Sequence, residues 1–184
     1  LRCLVGSEMC IRDRYGAMAY DQMVDDYMRD EQAGAQNTKG NNESATDDYN
    51  SYGTDRQHRW DEAFGYFGAN AATYPNTANT SSGDGMFIAN YTFDFSDEVD
   101  AAMGVNLAER AMNAFIVGRA ALKAGEGFGP SQESTNETVF NAARSDAKLY
   151  VEAGIAAAAL HYLNEAIADI TDEERELTID NFTD

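Results

Sequence analysis

The residues best suited to chemistry are His58, Asp61 and Glu62, within His58-Arg59-Trp60-Asp61-Glu62-Ala63-Phe64-Gly65-Tyr66. On a helix, His58 meets Glu62 one turn on and Asp61 lies three residues beyond His58, so an imidazole and two carboxylates share one region of surface. Imidazole and carboxylate together suit zinc or iron. Trp60, Phe64 and Phe67 recur at i, i+4 and i+7 and form an apolar stripe beside these groups. Charge next to such a stripe needs a partner. Arg119, which follows the apolar stripe of a later helix, is expected to reach Asp61 or Glu62. The acid it holds is then structural, and the acid left beside His58 is the better metal ligand. His161 and Glu165 repeat the i, i+4 spacing, and paired helices offering His and Glu inward build dinuclear sites. The neighbouring run Ala156 to Ala159 leaves that facing ambiguous, and a satisfied histidine is the expectation there. No H-E-x-x-H helix, cysteine nucleophile or Ser/His/Asp set is present, so no catalytic residue is assigned.

These groups need helices to position them. Tyr15, Met18, Ala19, Met23 and Tyr27 predict an amphipathic helix from Tyr15 to Asp30. Glu31 to Tyr52 is polar with no apolar period and reads as a long, partly disordered loop. Thr54 or Asp55 caps the central helix, which runs to Phe67 and stops at Gly68. Gly65 within it is expected to permit close helix packing. Ala69 to Gly85 reads as a second polar loop, Met86 to Tyr91 as one or two helical turns, and Ser96 as the cap of a further helix. Leu107, Ala111, Ala114, Phe115, Gly118 and Leu122 keep the helical period from Asn106 to Ala124, with Gly118 expected at a helix crossing. Gly125 to Glu137 is loop. Thr138 to Ile170 is helical again, as one helix or two joined near Ser145-Asp146, and Thr171-Asp172 could open another. No strand pattern stands out. The expected fold is all-α, an antiparallel bundle of four to five helices with long polar loops.

The 184 residues suffice for one domain with a real core. Val5 to Arg14 reads as one frame of a translated sequencing adapter, so residues 1–14 are excluded as an artefact and residues 15–184 taken as a single helical domain. Both cysteines, Cys3 and Cys10, fall in the excluded stretch and carry no argument about redox compartment. The net charge is −19. A balance this acidic argues against nucleic acid or an anionic membrane as partner. No apolar run reaches the length of a membrane span.

Several strings together resemble one family. They are Ala19-Tyr20-Asp21-Gln22-Met23-Val24-Asp25-Asp26-Tyr27, His58 to Tyr66 with its W-D-E-A-F-G-Y core, Ala114 to Leu122 with its G-R-A-A, and Tyr162-Leu163-Asn164-Glu165-Ala166. The chain resembles the bacterial domain of unknown function 4856, envelope lipoproteins whose helical fold is similar to that of imelysin-like proteins. The resemblance implies a bacterial envelope location, periplasmic or at the outer surface. It also implies a non-enzymatic binding role linked to a divalent metal, iron or haem, with an envelope protein or small ligand as partner. Imelysin-like proteins carry a His and an acid three residues apart, as His58 and Asp61 are. The alternatives are a metal-dependent, peptidase-like hydrolase and a purely structural interaction module. Family members also carry a lipoprotein signal and a C-terminal histidine helix, so this chain is expected to be a metagenomic fragment truncated at both ends.

Overall fold

The computed structural model describes residues 15–29, 53–70, 85–125 and 135–180. The adapter stretch 1–14 and most of the three polar loops lie outside the described residues. What is described is all-α.

Helix α1 begins α-helical over residues 15–21 and continues as a π-helical turn, Gln22–Tyr27, closed by Met28 N bonding Met23 O at 3.0 Å. Helix α2, Asp55–Phe67, starts where Thr54 Oγ1 accepts the Gln57 N–H at 3.3 Å. It ends at Gly68, whose left-handed φ of 89° suits glycine best. The Gly68 carbonyl then accepts the Met86 N–H at 2.7 Å, which ties the end of α2 to the start of the next helix.

Helix α3 runs unbroken over Phe87–Met103, not as a short apolar piece followed by a second helix. Ser96 sits inside it. The Ser96 hydroxyl donates to Asn106 Oδ1 at 3.1 Å and accepts the Ala108 N–H at 3.2 Å, while Asn106 Oδ1 accepts from Glu109 N at 2.8 Å. Ser96 therefore helps cap the following helix, α4, Leu107–Ala124. Helix α5, Thr135–Asp180, is one helix of 46 residues, about 69 Å at the usual rise. Neither the expected joint at Ser145-Asp146 nor a new start at Thr171 interrupts it; the Ser145 hydroxyl bonds back to Asn141 O at 3.1 Å, within the helix.

The core is aromatic and centres on Phe115. Its ring lies 5.4 Å from Trp60, 5.3 Å from Phe64 and 5.3 Å from Phe67, and Trp60 also meets Phe140 at 5.2 Å. The Trp60 indole N–H donates to the Phe115 carbonyl at 3.0 Å, so the polar edge of the buried ring is satisfied. The stripe Trp60, Phe64 and Phe67 is thus the central face of the protein. Gly118 lies where the Trp60 ring crosses α4: a methyl there would overlap Cζ2 and stand 2.8 Å from Cε2. The apolar residues of α5 divide between two faces. Phe140, Ala147, Val151 and Gly154 pack inward, with Gly154 against Thr92 of α3, whereas Leu149, Leu160, Leu163, Ile167 and Ile170 are exposed.

Candidate functional site

Helix α2 carries the three expected site residues but sends them to different places. Positions 61 and 62 differ by about 100° around the axis, so their carboxylates diverge. Asp61 turns to α4, where Arg119 Nε donates to both of its oxygens, at 2.8 and 3.1 Å. Glu62 turns back one turn, with Oε1 3.3 Å from His58 Nε2. Of the two acids expected for Arg119, it is Asp61 that the structure supplies. The side chains of Arg119 and Asp61 are 23% and 40% exposed, so the pair is half-buried. Such a pair contributes about 1 kcal/mol or less, well short of the several kcal/mol of a deeply buried one. Burial pushes the Asp61 carboxyl above the ordinary aspartate range, against the opposing pull of Arg119 and His58.

With Asp61 held by an arginine, the metal-ligand set His58, Asp61, Glu62 reduces to two donors from one helix. Among the described residues no group of three or more His, Cys, Asp or Glu side chains is gathered for a metal ion. Protein sites for zinc or iron ordinarily supply at least three ligands, and these residues fit such an ion poorly. His161 does not join them. Its ring stacks on Phe95 of α3 at 4.2 Å, and its Nε2 lies 3.4 Å from Glu165 Oε1.

Glu62 instead faces a cleft between α1 and α2 of about 400 Å³, lined by Tyr15, Met18, Gln22, Tyr27, Gly65, Tyr66 and Phe87 among others. Its Oε2 is closed off from water and accepts no hydrogen bond among the described residues. The Tyr27 and Tyr66 rings pack at 5.3 Å. Burial and then the nearby Glu62 charge push the Tyr27 hydroxyl up to about 12, and its hydrogen bond to Tyr66 adds to the effect. At the rim, Phe87 adopts φ of 52°, a left-handed backbone that a bulky residue holds only under strain. The π-helical turn that brings Gln22 and Tyr27 to the cleft is a geometry concentrated at functional sites.

Gly65 corrects an expectation in an informative way. It does not sit at a close helix crossing: it is exposed, and a Cβ built there meets nothing within 4 Å among the described residues. A mid-helix glycine with no packing role lowers stability by about 1 kcal/mol relative to alanine. What Gly65 does is leave the cleft open. Gly65→Ala is therefore expected to stabilise the fold by about 0.5–1 kcal/mol in urea unfolding. A destabilised variant would show that packing does need the glycine.

The sequence reading missed the most buried ion pair described. Arg56 Nη1 and Nη2 donate to Glu137 Oε2 and Oε1 at 2.6 and 2.7 Å, with Arg56 only 3% exposed and its guanidinium 4.6 Å from the Phe140 ring centre. The residues lie far apart in sequence, and Glu137 read as loop. The available signal was an arginine placed in the first turn of a helix, where it is electrostatically unwelcome without a carboxylate.

Fold and site together define an all-α protein in which two helices frame a small tyrosine-rich cleft with a carboxylate in its wall. The chain belongs to the family described as Domain of unknown function (DUF4856), whose model matches residues 2–179. No curated protein and no solved structure matches it. None of the helices described is long and apolar enough to cross a membrane.

Proposed function

We propose that this chain is a non-enzymatic binding protein of the bacterial cell envelope, with the α1–α2 cleft as its ligand site. The observation that carries the binding role is a cleft of about 400 Å³ walled mainly by aromatic and aliphatic side chains, with Glu62 among its lining residues. That volume falls in the range of small-molecule sites, which combine apolar walls with a few polar groups. The envelope placement, the imelysin-like fold and the link to iron or haem rest on the sequence resemblance.

The test joins three measurements on the purified chain: iron and zinc content, hydrolysis of unstructured peptides, and saturable binding of the neutral fluorescent probe N-phenyl-1-naphthylamine. The expected outcome is probe binding at one site, lost in Gly65→Leu, with no peptide turnover. Metal-dependent peptide cleavage would overturn the reading in favour of a hydrolase.

A further inference from the structure

We infer that α5 is a self-association helix, whose outward stripe of Leu149, Leu160, Leu163, Ile167 and Ile170 packs against the same stripe of a second copy of this chain. The five side chains are 51–59% exposed. They stand on the side of α5 opposite Ala147, Val151 and Gly154, which face the core. A helix that is apolar on opposite faces is ordinarily covered on both. Leu160, Leu163, Ile167 and Ile170 follow one another by three, four and three residues, the a/d spacing of a coiled-coil seam. Ala153 and Ala156 carry that spacing back to Leu149. A periodic helix much longer than about 25 residues is usual in coiled coils and membrane spans. Helix α5 has 46 residues, and no described helix is long and apolar enough to cross a membrane.

The flanks of the seam choose the partner. Ala157, Ala159, Asn164 and Ala166 hold the places beside it, where a coiled coil that selects an unlike chain carries its charges. From Ala153 to Ile170 the only acids are Glu165 and Asp169, and both stand on the side of α5 away from the seam. A basic partner would find no carboxylate beside Leu160, Leu163 and Ile167 to hold it. Two copies of a chain of net charge −19 repel each other, and an uncharged strip is where they can meet without like charges facing. The area suffices for a weak dimer. Each exposed Leu or Ile brings on the order of 100 Å² of apolar surface. Ten such side chains from two copies bring together on the order of 1,000 Å², the lower bound of a specific interface.

The experiment is sedimentation velocity on the full chain from about 1 to about 200 µM. A monomer–dimer equilibrium with a micromolar dissociation constant is expected. Raising salt from about 0.15 to about 1 M should tighten it, because the repulsion between acidic copies is screened while the apolar contact is kept. The double variant Leu163→Glu, Ile167→Glu should raise the dissociation constant at least about a hundredfold, with the urea midpoint unchanged because both side chains are exposed. Ile167→Gln alone, expected to weaken the dimer about tenfold, serves even should the double variant fail to fold. A native chain that stays monomeric over the whole range would overturn the proposal and give the stripe to another occupant. A dimer indifferent to Ile167→Gln and to the double variant would place self-association elsewhere and overturn it too. So would a dimer that dissociates in high salt, since ion pairs and not this stripe would then hold it.

Discussion

Gly118→Leu is expected to leave little or no folded protein under native conditions. The Trp60 ring closes on α4 at this position, and a single added methyl would already stand 2.8 Å from Cε2 and 3.0 Å from Cη2. The ring cannot swing away, because its N–H is bonded to the Phe115 carbonyl and the rings of Phe115 and Phe140 pack against it. Relief must come from moving α4 off α2, which opens the centre of the core. Overpacking ordinarily costs about 1–3 kcal/mol. Here the clash is with a fixed indole, so leucine should exceed that range and consume much of the roughly 5–15 kcal/mol that holds a domain together. Alanine separates clash from propensity. It gains about 1 kcal/mol of helix preference and must still displace the ring, so a net loss in urea unfolding is expected. A Gly118→Leu variant with an unchanged midpoint would mean that Trp60 does not cross α4 there.

The second large effect is expected at Glu137. Glu137→Gln removes a carboxylate held by two short hydrogen bonds from a guanidinium that is 3% exposed. Loss of one member of a buried pair costs about 3 kcal/mol or more, because the remaining charge keeps its desolvation penalty. The pH dependence has a definite sign. The Arg56 hydrogen bonds hold the Glu137 carboxyl below the usual glutamate range, aided by the Arg56 charge and opposed by burial. A lowered native value means that the unfolded chain takes up the proton first as the solution is acidified. The stabilisation is therefore complete above the ordinary glutamate pKa of about 4.3 and is lost as pH falls through the lowered native value. The gap between native chain and Glu137→Gln should be constant near neutrality and close progressively below about pH 4. A gap that persists unchanged into acid would assign the loss to altered packing at the start of α5.

Much of this protein was legible in its sequence, for reasons that differ from place to place. The stripe Trp60, Phe64, Phe67 and the glycine at 118 were readable because a bulky aromatic period and a glycine inside a strong helix each have few physical explanations. The Arg119–Asp61 pair was foreseen from charges adjoining packed stripes. Its modest burial was not, since exposure depends on how far α2 and α4 diverge beyond their crossing. Arg56–Glu137 was hidden by a boundary error: with Glu137 assigned to a loop, nothing suggested that it would face α2. The continuity of α3 was obscured by Ser96, whose capping bonds go to a neighbouring helix. On α5 the pattern gave helix correctly, yet it could not tell the inward face of Val151 and Gly154 from the outward one of Leu160 and Leu163. The cleft was not legible at all. It depends on a π turn that leaves no periodic mark, and on a glycine whose role is the space beside it.

That π turn also bears on how such a cleft could change its preferences. A π-helical turn has the geometry of one residue inserted into an α-helix. Tyr15, Met18 and Gln22 reach the cleft from before or at the start of the turn, and Tyr27 from its end. Losing a single codon between them would let the segment close as ordinary α-helix, turning everything upstream by about 100° relative to Tyr27. One wall of the cleft would be exchanged wholesale while α2 and the aromatic core stayed as they are. Ligand preference could then diverge through chain length, by insertion and deletion, with no substitution at any residue that touches the ligand.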